Sequence, residues 1–281
     1  MTGKMATLVG ANGGFGQLFA GRLRHEGWKV AGVDLSPAAN DEESWSGFSV
    51  VAENESTTDA DGFLKASSLI ILCVPSEAAF WWIDHAAPLL SAESLCLDVL
   101  SVKTQVQAKA AAAGFAGEYL SLHPMFAPRW GFANYAVAAI TVQDGPRSVE
   151  FLDMIQSWGS RVVKLSAEEH DKAAAVLQGG AHAAVLAFAR ATSLSDVPEE
   201  TLEAMGTAVS GPIFELVQRI TAGDPATYHS IQSENPYAQM TRDNLMAALK
   251  ELDSLSGGND GADFGEMMAR LRNKNAGQRE K

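Results

Sequence analysis

The sequence predicts an α/β protein: an N-terminal parallel-sheet domain followed by an all-helical domain. Three observations carry this. A short apolar run, Met5–Val9, leads into Gly10-Ala-Asn-Gly13-Gly14-Phe-Gly16, a helical pattern and a second apolar run ending at Asp34. Apolar runs then alternate with helical stretches as far as Leu165. From Ala167 onward, Ala-rich helical periodicity replaces the alternation. Strands separated by helices imply a parallel sheet covered on both faces, because each parallel return needs a crossover.

The elements follow in order. Gln17–Glu26 carries Leu18, Phe19 and Leu23 at helical spacing, Gly27 closes that helix, and Lys29–Val33 is the next strand. Strand, glycine turn, helix and strand make a βαβ unit, so the first domain is Rossmann-like. After a polar stretch with an acidic cluster at Asp41–Glu43, strands are predicted at Phe48–Ala52, Leu69–Val74 and Leu95–Val99. Helical patterns at Glu77–Leu90 and Val102–Ala113 separate them, and a further strand ends near Leu122. Ala136–Val142 and Arg161–Leu165 complete the first domain, with the boundary expected at about residue 165: domains 1–165 and 166–281. Helices are expected over Ala167–Thr192, Glu199–Val209, Pro212–Ala222, Pro225–Glu234 and Tyr237–Leu252. Gly257–Asp263 then links to a basic helix, Phe264–Asn275, expected to be solvated or packed in a dimer.

The 281 residues are 47% hydrophobic and 20% charged, an ordinary globular composition. A net charge of −13 argues against non-specific binding to nucleic acid or an anionic membrane. It leaves room for an anionic substrate, since a local group of cations sets the potential in a cleft. Cys73 and Cys96 both lie in apolar runs and read as buried, reduced thiols, consistent with a cytoplasmic protein. No membrane span is expected: the most apolar stretch, Leu69–Val74, stops at Pro75. The N-terminus lacks the pattern of a signal peptide, and no metal is expected.

The glycine turn is the first candidate site. Gly10 lets the chain turn, Gly13 admits a pyrophosphate against backbone N–H groups, and Gly16 lets helix and strand pack closely. Gly14, Phe15 and the Val74–Pro75 strand end belong to the same cofactor edge. Asp34, ending the second strand, would accept hydrogen bonds from the adenosine ribose and repel a 2′-phosphate, which selects NAD over NADP. A glycine-rich turn in some other α/β domain is the competing reading; the strand, helix and acid around it favour a dinucleotide. The motif is G-x-x-G-x-x-G, with Ala11 in the usual first-glycine register.

Several further segments carry a resemblance. Ser101-Val-Lys103, Leu122-His-Pro-Met-Phe-Ala-Pro128, Glu169-His-Asp171, Gln178 with His182, and Gln218-Arg219 followed by Asp224-Pro225 resemble the prephenate and arogenate dehydrogenases in type, order and spacing. The likeness covers about residues 5 to 245, and His-Pro-Met-Phe is its most specific part. It implies a helical domain that serves substrate binding and homodimerisation, with the pocket between the domains. Ala174, Ala175, Ala181, Ala183 and Ala184 would let helices approach closely in such a dimer.

The implied substrate is a small dianionic cyclohexadiene. Hydride leaves the ring carbon that bears the hydroxyl, CO2 leaves the opposite carbon, and the ring becomes aromatic. A neutral imidazole suits the hydroxyl proton, and His123, at the carboxyl edge of the sheet, is assigned as acceptor. A strand-capping histidine is its competitor. Ser101 could hydrogen-bond both this imidazole and the hydroxyl. Arg219 matches the residue that grips the prephenate carboxylate, a bidentate task suited to guanidinium. Gln178 and His182 lie one turn apart on one helix face, where a satisfied core histidine is the alternative. Lys103 and Tyr228 match family substrate positions, and His170 and Asp171 are expected to help start the long helix.

Two departures bear on specificity. The family commonly has glycine where this chain has Ala127, and an acid where it has Arg129. An Arg129 turned into the pocket would repel the ammonium of arogenate, and a solvent-facing Arg129 would instead cover Trp130. The 4-amino analogue of prephenate is a close alternative substrate, and a β-hydroxyacid dehydrogenase a more distant enzyme reading. A non-catalytic NAD-binding paralogue is the alternative of another class, disfavoured by Ser101, His123, His182 and Arg219.

Overall fold

A computed structural model describes residues 4–39, 44–257 and 261–276. The acidic cluster Asp41–Glu43 and part of the Gly257–Asp263 link lie outside the described residues. Eight strands form one sheet: β1 (Met5–Val9), β2 (Lys29–Asp34), β3 (Gly47–Val50), β4 (Leu69–Leu72), β5 (Leu95–Asp98), β6 (Glu118–Pro124), β7 (Ala136–Gln143) and β8 (Arg161–Lys164). Their order is β3-β2-β1-β4-β5-β6-β7-β8. The chain reverses its winding direction between β1 and β4, with Val9 registered to Val33 on one side and Leu72 on the other.

The sheet is not wholly parallel, as the alternation had implied. β6 and β7 are antiparallel, with His123 paired to Ala138. The connection from Pro124 to Ala136 contains only a short 3-10 turn, Pro128–Trp130, too little chain for a parallel crossover.

Helices α1 (Gly14–His25), α2 (Thr58–Ala66), α3 (Ser76–Ala86), α4 (Thr104–Ala113), α5 (Pro146–Ser157) and α6 (Ala167–Ala174) complete the first unit. Phe19 and Leu23 of α1 join Phe151 and Leu152 of α5, with Phe132 and Trp158, in one core. Leu64 of α2, Ile83 of α3 and Val106 of α4 join a second. Strand residues alternate between them: Leu8 and Ile71 serve the first, Val9 and Ile70 the second. Two of these helices were not anticipated. The Thr57 side chain caps α2 by accepting from the Ala60 N–H, with Asp59 and Asp61 in the first turn. Glu118 of β6 caps α5, accepting from the backbone N–H groups of Arg147 and Ser148.

The chain divides into two compact units, 1–174 and 175–281, and α6 clusters with the first although it lies beyond residue 165. The second unit holds a π-type turn, Ala175–Gly180, then α7 (Ala181–Ser193), α8 (Glu199–Ala204), α9 (Ser210–Thr221), α10 (Pro225–Ser233), α11 (Ala238–Ser256) and α12 (Ala262–Ala276). Large apolar side chains there are exposed, including Leu177, Met205 and Val209 at 65%, 74% and 73%. The helical run Ala167–Ser193 is long and apolar enough, by length and composition alone, to span a bilayer, which the sequence reading had not expected. Five polar residues, Glu168 to Lys172, occupy its first turns.

Candidate active site

The β1–α1 turn is shaped by close backbone approach. Gly10 has φ +81, and a Cβ there would lie 2.3 Å from the carbonyl oxygen of Cys73, at the end of β4. Only glycine permits this conformation and contact together. A Cβ on Gly16 would meet the Gly10 carbonyl at 2.2 Å, so the turn closes on itself. Gly13 precedes α1 without a side-chain cap, and no acid occupies the first turn. The N–H groups and positive dipole end of α1 therefore suit an anion.

Asp34 stands at the end of β2, where its Oδ2 accepts from the Asn12 N–H at 2.9 Å and its Oδ1 from the Ser36 N–H at 3.3 Å. Asn12, passed over in the sequence reading, donates to the Ser36 and Pro37 carbonyls and accepts from the Ala39 N–H. It ties the glycine turn to the segment after β2. Val74 borders Gly10, and exposed Pro75 precedes α3. The uncapped helix start, the space only glycine leaves and the acid at the strand end together fit a dinucleotide.

This turn packs against the loop after β6. A Cβ on Gly14 would lie 2.8 Å from the Pro128 ring, and the Phe15 and Phe126 rings are 6.0 Å apart, edge to face. The same strand end carries His123, buried at 3% exposure. Its Nδ1 lies 2.9 Å from Nε2 of His170, whose Nδ1 lies 2.8 Å from Oδ1 of Asp171. Burial pushes the His123 pKa well below the ordinary histidine value, and neighbouring His170 and Lys103 push it the same way. Burial alone would raise Asp171, but hydrogen bonds from His170, Thr104 and the Lys103 N–H outweigh it and hold the carboxyl below the usual range.

His170 and Asp171 are thus more than helix-starting residues. Both are buried, and Asp171 reaches across to the N-terminus of α4, accepting from the N–H groups of Lys103 and Thr104 at 2.8 Å each. The Glu169-His-Asp triplet was visible in the sequence, but nothing local showed that it would meet His123.

Lys103 is placed elsewhere than a substrate contact. Its ammonium is fully buried and donates to Asp98 Oδ1, Ser121 Oγ and the Leu122 carbonyl at 2.8, 3.0 and 2.6 Å. Tyr119 donates to the other Asp98 oxygen at 3.1 Å. Lys103 thereby holds the strand end before His123. Ser101 is half-buried after the β5 turn, and the Nδ1 partner of His123 is His170, not Ser101. Arg129 is exposed, its guanidinium 5.3 Å from the Trp130 ring centre.

In the second unit, Gln178 lies in the π-type turn and His182 follows in α7. The His182 Nδ1 is buried without a hydrogen-bond partner, and its ring packs 4.9 Å from Tyr228 of α10. Burial lowers its pKa. An unsatisfied buried nitrogen costs about 1–3 kcal/mol, which a polar ligand atom would offset. π-type turns also recur at functional sites. Arg219 is exposed in the last turn of α9.

A dinucleotide turn at the switch point of a mostly parallel sheet, packed against the loop that follows a buried histidine of lowered pKa, fits a nucleotide-dependent dehydrogenase. Residues 19–139 match the family model described as "Prephenate dehydrogenase, nucleotide-binding domain", and residues 166–270 that described as "Prephenate dehydrogenase, dimerization domain". The chain is 30% identical over 267 residues to a 4-amino-4-deoxyprephenate dehydrogenase of Streptomyces pristinaespiralis, covering 94% of this chain and 89% of that protein. It is 31% identical to the T-protein of Enterobacter agglomerans, covering 84% of this chain but only 58% of that one. The fold is shared with a crystal structure of prephenate dehydrogenase from A. aeolicus in complex with hydroxyphenyl propionate and NAD+, with TM-score 0.76, 19% identity and 98% of each chain covered. A Synechocystis arogenate dehydrogenase gives TM-score 0.71 at 18% identity, covering 98% of this chain and 99% of that one. The chain belongs to the prephenate dehydrogenase family. It is an NAD-dependent dehydrogenase acting on prephenate or a close analogue.

Proposed function

We propose that the chain oxidatively decarboxylates prephenate to 4-hydroxyphenylpyruvate. The observation that carries this is the buried, neutral imidazole of His123, on the strand whose following loop packs against the glycine turn. Gly10, Gly13, Gly14 and Gly16 would hold NAD, with Asp34 toward its ribose, and the bound cofactor would supply the hydride acceptor. His123 accepts the hydroxyl proton as hydride leaves the same carbon. Loss of CO2 returns its electron pair to the ring, and the phenolate oxygen recovers the proton, so none is released overall. Arg219 is assigned to a substrate carboxylate and His182, with Gln178, to orienting the substrate; the unsatisfied His182 nitrogen supports its part.

A second reading is the 4-amino analogue of prephenate as substrate. It is favoured by the Streptomyces pristinaespiralis relative, which the chain matches over 89% of its length. NADH absorbance with prephenate, its 4-amino analogue and arogenate in parallel decides between them. The largest kcat/KM names the substrate, and no NADH from any of them refutes the proposal.

The proposed assembly is a homodimer through the second unit, supported by its match to a dimerization domain and its exposed Leu177, Met205 and Val209. Burial between copies would also account for the apolar character of Ala167–Ser193. Sedimentation at micromolar concentration tests this, and a monomer refutes it. The cytoplasmic setting belongs to the same reading, supported by free Cys73 and Cys96.

A further inference from the structure

A base that accepts a proton through one ring nitrogen must keep that nitrogen unprotonated, and what fixes this is the partner of the other. His123 has His170 at Nδ1, and His170 has Asp171. The three side chains are 3%, 2% and 0% exposed, so water does not compete for these bonds. Asp171 is itself locked by the N–H groups of Lys103 and Thr104 and by the Thr104 hydroxyl.

The direction of the chain follows from donor and acceptor types. A carboxylate only accepts, so His170 donates from Nδ1. When His170 carries only that proton it presents a lone pair at Nε2, and His123 donates to it from Nδ1, whereas a doubly protonated His170 would donate to His123 instead. In the first arrangement the lone pair of His123 is placed on Nε2.

We propose that His170 and Asp171 are positioning residues that fix the tautomer of His123 and stabilise the imidazolium it becomes. This rests on the proposed function, in which His123 is the proton acceptor. As the substrate O–H bond breaks, the N–H bond forms at Nε2, and the Nδ1–H bond to His170 becomes charge-assisted. The proton returns from Nε2 to the phenolate oxygen, and none moves to Asp171.

Two measurements on the full chain test this. In 15N-histidine NMR near neutral pH, both His123 and His170 are expected to carry their proton on Nδ1, with signals assigned from His123→Gln and His170→Gln variants. A wild-type His123 protonated on Nε2 overturns the proposal. The second is Asp171→Asn, which removes the negative charge behind His170 and leaves one acceptor oxygen for the donors of Lys103, Thr104 and His170. Its kcat is expected to fall about 10²- to 10⁴-fold with KM within a few-fold. A folded variant with kcat within about threefold of wild type overturns the proposal. If the variant does not fold, the wild-type tautomer decides. The NMR needs no turnover, so a failure of the proposed activity is read separately, from wild-type NADH formation.

Discussion

Nδ1 of His123 and Nε2 of His170 stand 2.9 Å apart in the interior, though the residues are 47 positions apart in the chain. This contact joins the strand that carries the proposed proton acceptor to the helix that begins at Ala167. His123→Asn is expected to lower turnover by about 10²- to 10⁴-fold with a much smaller change in KM, the pattern of a lost general base. Steady-state kinetics check this, and near-normal turnover would place the acceptor elsewhere.

The depressed His123 pKa sets the pH dependence. With His123 as the proposed acceptor, activity needs its neutral imidazole, so the acid limb of kcat/KM is expected below the ordinary histidine value of about 6.5. Stability moves in a related way. Between the lowered folded pKa and the ordinary unfolded one, the unfolded chain binds more protons, so stability falls as pH drops through that window. Denaturant titrations at pH 7 and 5 should show the loss, and His123→Gln should reduce it.

Lys103→Met would leave Asp98 buried without its cation. Breaking one side of a buried pair costs about 3–5 kcal/mol, so a large drop in the urea midpoint is expected. KM for prephenate in the folded fraction should change little. A variant of normal stability but much weaker substrate binding would return Lys103 to the substrate.

Asp34 is expected to give NAD a preference of at least about tenfold over NADP, the scale of one charge-assisted hydrogen bond. Asp34→Asn should narrow it. Equal use of the two cofactors by wild type would show that this carboxylate serves only Asn12 and Ser36.

The two arginines separate by kinetic signature. Arg219→Ala is expected to raise KM with little change in kcat, because a carboxylate contact exists in ground and transition states alike. Arg129 covers Trp130 and is exposed, so Arg129→Asp should leave the prephenate-to-arogenate ratio of kcat/KM within about threefold and cost at most about 1 kcal/mol in stability. A tenfold swing toward arogenate would instead make Arg129 a specificity residue.

Periodicity, glycine spacing and the acid at Asp34 were enough to identify the α/β class, the βαβ unit and most strands, because local sequence dictates local structure there. His-Pro-Met-Phe likewise marked His123. The α2 helix had its signal in Thr57 and the following acids. The antiparallel β7 followed from a connection too short for a crossover, which only the strand pairing makes plain. The α5 cap comes from Glu118, distant in sequence, and Lys103 chooses Asp98 over a substrate because folding buries both. The orientation of His123 depends on His170 and Asp171, residues whose local pattern says only that a helix begins. The sequence determined which groups could do the chemistry. Tertiary structure decided which nitrogen is held and which cation is spent, because burial removes water and leaves only the partners that the fold brings within reach.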